Sequence, residues 1–196
     1  MKQQTAIEVL ATVGYEGFVK SLYNRTGDLS KDFTHAVLGI ITESHEYLTA
    51  TDEVNAIEEA GDLAFYLTAL KHVLEDFAPT DEDTFGLALE AAYVRFSEDG
   101  LDNIQAVFIE WLDLAKRWVG YGKAPSMATT QLLGEAAALV AFVTENGAAG
   151  DIDTHKVLLV NVEKLLKRYN GMTFSAERAV NRDLFAEREV LETHAA

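Results

Sequence analysis

The chain has 196 residues and a formal net charge of −16, and 48% of its residues are hydrophobic. This composition predicts a soluble, single globular domain over residues 1–196 and excludes a disordered chain. The negative charge argues against a nucleic-acid polymer or an anionic membrane as partner, and the absence of cysteine excludes disulfides, thiolate catalysis and cysteine-bound zinc.

Helix-forming residues dominate the chain, which contains two prolines and no persistent strand-like alternation. The pattern predicts an all-α helical bundle. The predicted helices cover residues 4–24, 31–50, 53–76, 82–97, 101–120, 127–146, 152–170 and 175–193. We expect Asp52 to cap the third helix, Thr80 with Asp83 to open the fourth, and both tryptophans to lie in the core.

Two acidic pairs lie on the second and third predicted helices: Glu43 with Glu46, and Glu59 with Asp62. Spacing of three residues places each pair on one helix face. The turn near residues 51–52 would fold the two helices into an antiparallel hairpin, so the four carboxylates could converge. His45 is the only basic residue in 39–66, so such a cluster must be exposed, protonated or bound to a cation.

Oxygen ligands without sulfur favour Mg²⁺, with Mn²⁺ as a substitute. Iron is disfavoured because the Glu-x-x-His pairs of di-iron bundles are missing, and His45 fits a core or supporting role better than that of a ligand. The alternative is that the acids are solvated faces of acidic helices. Two features weigh against it: Gly61 is costly inside a helix, and the acids border the apolar seam instead of lying opposite it.

Segments 37–67 and 104–143 hint at an internal duplication. Glu43 and Glu46 align with Glu110 and Asp113, and Gly61-Asp62 aligns with 134–135, while Leu132 replaces Glu59. This alignment predicts pseudo-repeats over about 10–77 and 82–147, followed by C-terminal helices over 152–193. The alternative is that any two helical hairpins with Gly and Glu look alike.

The run from His35 to Leu70 contains ExxE, a spacer and ExxD, and resembles the MazG-like all-alpha nucleoside triphosphate pyrophosphatases. Residues 161–169 resemble the closing NxxKLxxRY segment of that family, and 174–192 resemble the C-terminal extension of its phage-encoded members. The stretch over 80–150 departs from the compact members, in which almost nothing separates ExxD from the closing helix. Its DxxKR…YGK segment at 113–123 is similar to one in some relatives and supports a duplicated hairpin like that of dimeric dUTPases.

The resemblance implies a bundle of the all-alpha nucleoside triphosphate pyrophosphatase type. Its activity would be Mg²⁺-dependent hydrolysis of (deoxy)nucleoside triphosphates between the α- and β-phosphates, releasing a nucleoside monophosphate and pyrophosphate. The implied catalytic metal ligands are Glu43, Glu46, Glu59 and Asp62, with one of them or Glu58 as the base. The implied substrate-binding residues are Asn161, Lys164, Arg168, Tyr169 and Asn55.

We further expect a cytoplasmic homo-oligomer, a dimer (in the host cytoplasm if a phage encodes it), although an internal repeat can replace a partner subunit. Three other interpretations stay open. The chain could be a base-specific dUTPase-like or dGTPase-like variant, a catalytically decayed nucleotide-binding or regulatory protein, or a purely structural bundle. Lys164 and Arg168 could equally be ordinary surface cations, and Arg182 could pair locally with Glu187.

Overall fold

The computed structural model describes residues 5–101, 104–147 and 153–195. Within these ranges the chain forms nine α-helices and no strand, which confirms the predicted all-α bundle. The helices are α1 (Ala6–Leu22), α2 (Leu29–Thr49), α3 (Glu53–Phe77), α4 (Glu82–Asp99), α5 (Ile104–Tyr121), α6 (Thr129–Asn146), α7 (Thr154–Tyr169), α8 (Ala176–Val180) and α9 (Leu184–Ala195).

The start of α3 agrees with the sequence prediction, but the start of α4 does not. Asp52 caps α3 by accepting a hydrogen bond from the backbone N–H of Asn55 at 2.9 Å. The predicted pair of Thr80 and Asp83 is wrong, because the cap of α4 is Asp81, whose carboxylate accepts a hydrogen bond from the backbone N–H of residue 84 at 2.8 Å. An aspartate directly before a helix can itself accept hydrogen bonds from the unpaired N–H groups of the first turn, so a second capping residue is not needed.

The predicted last helix, 175–193, is wrong because the chain breaks after residue 180 and forms two helices. Ser175 caps α8. The carboxylate of Asp183 then accepts a hydrogen bond from the backbone N–H of Ala186 at 3.1 Å and begins α9. The turn over 181–183 redirects the chain, so that α9 docks beside α3 and α7. Leu191, which is buried on α9, packs with Ile57 and Val160 of those two helices.

The hairpin of α2 and α3 lies at the centre of the bundle, with α5, α6 and α7 packed against it. The main core contains Phe33, whose ring centroid lies 6.3 Å from that of Trp111 and 5.1 Å from that of Trp118. Both tryptophans are buried, as predicted. Within the described residues, no helix combines the length and the apolar character needed to cross a bilayer.

Candidate functional site

Three of the four predicted acids converge between α2 and α3. Carboxylate oxygens of Glu43, Glu46 and Glu59 lie within 4.8 Å of one another. The antiparallel hairpin explains this meeting, because a three-residue connection brings the last turns of α2 beside the first turns of α3. Within the described part of the chain, these three side chains are the group of acids and histidines whose spacing suits a metal ion.

Asp62, the fourth predicted ligand, is already engaged by α7. Its carboxylate accepts hydrogen bonds from Lys164 Nζ at 2.7 and 2.8 Å and from Asn161 Nδ2 at 2.8 Å. The side chain of Lys164 is 0% exposed and lies 3.3 Å from Glu58 Oε1. The resemblance implies that Lys164 and Asn161 bind substrate, and this stays a prediction. In the structure both side chains contact Asp62, since the polar stripe of α7 faces α3.

The three converging acids repel one another in the absence of a cation. Burial raises the pKa of Glu43, and the nearby charge of Asp62 adds to this effect. Burial, together with a hydrogen bond that the protonated Glu59 carboxyl donates to Glu43, raises the pKa of Glu59 to about 9. A bound divalent cation would lower these pKa values, because it favours the ionised form of every carboxylate that it contacts. Glu43, Glu46 and Glu59 therefore fit a hard cation such as Mg²⁺.

These raised pKa values predict how stability depends on pH when divalent ions are chelated. Between about pH 4.5, the ordinary value, and about 9, the folded chain holds a proton on Glu59 that the unfolded chain has released. The free energy of unfolding should therefore fall as pH rises through this window. Thermal melting in EDTA at several pH values would measure the slope. Glu59→Gln should flatten it, and an equal slope in that variant would contradict the assignment.

Gly61 allows α7 to approach the acidic hairpin closely. A Cβ at this position would lie 2.8 Å from Asn161 Cβ and 3.0 Å from Asn161 Nδ2. Asn161 in turn accepts a hydrogen bond from the hydroxyl of Tyr15 at 2.9 Å. The helical Gly61, which the sequence marked as costly, is thus explained by packing, because only glycine leaves room for Asn161 to lie against Asp62.

We expect Gly61→Ala to lower the free energy of unfolding by about 1–3 kcal/mol, because the added methyl group overpacks the contact with Asn161. Gly86→Ala is the matched control, since Gly86 is also helical and a Cβ there meets nothing within 4 Å. That control should be neutral or stabilising by up to about 1 kcal/mol through helix propensity. Urea denaturation measures both variants, and equal effects would refute the packing explanation.

The acids border a cavity of about 520 Å³, which is within the usual range for small-molecule sites. Aromatic side chains line another part of it: Tyr23, Phe65, Tyr66, Tyr169 and Phe174. The Tyr66 ring lies directly over Gly39, where any Cβ would clash with it. The cavity therefore combines flat apolar surfaces with a charged wall.

Arginines supply the positive charge at this cavity. Arg168 and Arg182 both line it, and both donate hydrogen bonds to Glu187, which is only 2% exposed. Although burial opposes ionisation, the two guanidinium groups lower the pKa of Glu187 to about 2. The local pairing of Arg182 with Glu187 is confirmed. The sequence did not reveal that Arg168, nineteen residues away, shares the same carboxylate.

The other predicted residues divide between the cavity and its surroundings. Tyr169 lines the cavity, and its predicted role in binding substrate stays a prediction. Asn55 does not; it bonds to Asp52 and Arg188 near the start of α3. The core position predicted for His45 is wrong, because this residue is exposed, and the supporting role stays a prediction.

The second half of the chain does not reproduce the acidic cluster. Asp113 pairs with Lys116 at 2.5 Å and Arg117 at 2.9 Å on the surface of α5. Glu110 and Glu135 do lie close enough for Glu110 to raise the pKa of Glu135, after the larger effect of burial. The most extensive partner of α6 is α4, not α5. The duplication over about 10–77 and 82–147 stays a prediction.

Another cavity, of about 550 Å³, lies between α3, α4 and α6. Its lining includes Leu67, Phe85 and Leu133, and the ammonium group of Lys71 there already pairs with Glu16 and Glu75. Of these two cavities, the first is lined by converging carboxylates and by arginines, so we assign the candidate site there despite the similar volumes.

The chain was compared with family models, curated proteins and solved structures, and none of these comparisons produced a match.

Proposed function

We propose that this protein hydrolyses nucleoside triphosphates between the α- and β-phosphates in a metal-dependent reaction. The observation that carries the proposal is the joint lining of one cavity by three converging carboxylates, two arginines and several aromatic rings. The order of the ExxE, ExxD and NxxKLxxRY motifs, which resembles that of the MazG-like enzymes, supports the same conclusion.

Glu43, Glu46 and Glu59 would hold the cation, Mg²⁺ or Mn²⁺. When bound, it would neutralise triphosphate charge and lower the pKa of a water molecule. Asp62 supports the cluster through its ion pair with Lys164, unless substrate binding releases it as a fourth ligand. Three acids would therefore bind the cation directly, whereas the charge of the fourth, Asp62, is already balanced by Lys164.

The chain's own residues would bind and orient the substrate. Arg168 and Arg182 can donate paired N–H groups to phosphate oxygens, and the rings of Tyr169 and Phe174 can stack on a base. Glu58, held by Lys164 at 3.3 Å, lies next to the cluster and is a candidate proton acceptor. Positioning and charge stabilisation of this kind are the main requirements of phosphoryl transfer.

The test is product analysis across the common ribo- and deoxyribonucleoside triphosphates with Mg²⁺. We expect nucleoside monophosphate and pyrophosphate in equal amounts. Release of orthophosphate and diphosphate, or no product from any substrate, would overturn the proposal. The same panel identifies a base-specific enzyme of the dUTPase or dGTPase kind, because only one nucleotide would then be consumed.

A second candidate is a nucleotide-binding regulatory protein on a decayed enzyme scaffold. The engagement of Asp62 by Lys164 favours it, since one of four expected ligands is occupied. Calorimetric titration with Mg²⁺ and a non-hydrolysable triphosphate, followed by a turnover assay, separates the two. Binding with no turnover under any metal supports the regulatory protein.

The proposed setting is the cytoplasm, with free nucleotides and not polymers as substrate and a homodimer as the active form. The net charge of −16 supports the exclusion of nucleic acid, whose phosphates it would repel. Light scattering of the purified chain tests the dimer directly.

A further inference from the structure

Glu187 lies at the centre of the positive side of the cavity. Its Oε1 accepts a hydrogen bond from Arg168 Nε at 2.9 Å, and its Oε2 accepts from Arg168 Nη2 at 2.6 Å. The same Oε2 accepts from Arg182 Nη2 at 2.6 Å and Nε at 3.2 Å. One buried carboxylate therefore sets the position of two guanidinium groups that come from different elements, α7 and the turn after α8.

The charge of this group suits an anion. Two guanidinium groups and one carboxylate leave a net charge of +1. Each guanidinium has five N–H donors, of which Glu187 takes two, so donors remain on both arginines. Arg182 Nη2 also lies 3.7 Å from Glu58 Oε1, which places the pair beside the acidic wall of the cavity. A polyanion with a bound cation could therefore contact the two arginines and the acidic wall at the same time.

Glu187 lies on α9, a helix that is docked against the bundle. This position argues against a role in which its carboxylate merely competes with phosphate for the two arginines. Leu191 is 2% exposed and packs against α3 and α7, and His194 Nε2 lies 2.7 Å from Glu163 Oε2 of α7. These contacts hold the backbone of Glu187 beside the two arginines. A carboxylate held in this way can orient both guanidinium groups.

We propose that Glu187 is a positioning residue that holds Arg168 and Arg182 side by side, and that this arginine pair receives the polyphosphate end of the substrate. The inference rests on the proposed function for the identity of the substrate. It goes further in making Glu187 the residue that orients both arginines and in giving helix α9 a role in the site.

The test compares Glu187→Gln with Glu189→Gln, an exposed glutamate on the same helix. The measurements are the Kd for inorganic triphosphate at constant Mg²⁺, and kcat and KM for the nucleotide consumed fastest. We expect Glu187→Gln to raise Kd and KM by about tenfold or more, since charge-assisted hydrogen bonds to phosphate are lost, while Glu189→Gln changes neither. Tighter or unchanged triphosphate binding by Glu187→Gln would overturn the inference.

Arg182→Gln provides a second variant in case Glu187→Gln fails to fold, because Arg168 still neutralises Glu187 in it. We expect a similar loss of triphosphate affinity. In the double variant the two losses should not add, since both substitutions disable the same unit. Normal triphosphate affinity in Arg182→Gln overturns the inference. If the wild type binds inorganic triphosphate but hydrolyses no nucleotide, the proposed function fails, whereas the binding data still decide the role of Glu187.

Discussion

Replacing Glu59 by glutamine should reduce nucleotide turnover by at least about 100-fold and weaken Mn²⁺ binding by a similar factor, because one of three converging ligands is lost. Glu59 lies where the acids meet, and burial and like charges already raise its pKa. The glutamine variant places a neutral side chain there without the cost of protonating a carboxyl, so without metal near pH 7 it should melt at the same temperature as wild type or higher. Loss of activity with retained stability would separate a metal ligand from a structural residue.

The matched control is Glu110→Gln, at the position that aligns with Glu43 in the second half of the chain. Glu110 is exposed on α5 and does not line the cavity. Turnover and Mn²⁺ affinity should stay at the wild-type level in this control. If Glu59→Gln also keeps full activity and full Mn²⁺ affinity, the acids are solvated helix faces and the proposed reaction is wrong.

Replacing Lys164 by methionine should lower the free energy of unfolding by about 3 kcal/mol, because removal of the buried lysine leaves the partly buried carboxylates of Asp62 and Glu58 without their cationic partner. The Lys164 side chain is 0% exposed and lies 2.7 Å from Asp62 and 3.3 Å from Glu58. Its charge also opposes the rise in the pKa of Glu43, so the variant adds repulsion to the acidic cluster. Urea denaturation with and without Mg²⁺ measures the effect.

Lys167→Met is the control, since Lys167 is an exposed lysine on the same helix. It should change stability by less than about 0.5 kcal/mol. Adding Asp62→Asn to Lys164→Met should recover part of the loss, and the double-mutant cycle gives the coupling energy of the pair. A Lys164→Met variant as stable as the Lys167→Met control would show that the ion pair is not a support of the site.

Local patterns in the sequence determined the helices and the acidic hairpin. The all-α class follows from helix-forming composition, and the meeting of Glu43, Glu46 and Glu59 follows from three-residue spacing and one short turn. The errors at the ends of helices had a local cause as well. Asp81 and Asp183 act as caps at positions where several neighbouring polar residues offered similar signals.

Only the tertiary structure decided which charges neutralise one another. The stripe of Asn161, Lys164 and Arg168 predicts a polar face on α7, but not the side to which that face turns. Packing of α7 against Gly61 directs it toward Asp62, which is 102 residues from Lys164 in the chain. The pairing of Glu187 with two arginines likewise depends on the break before α9. Helical spacing describes one helix at a time, whereas these ion pairs depend on the relative positions of several helices.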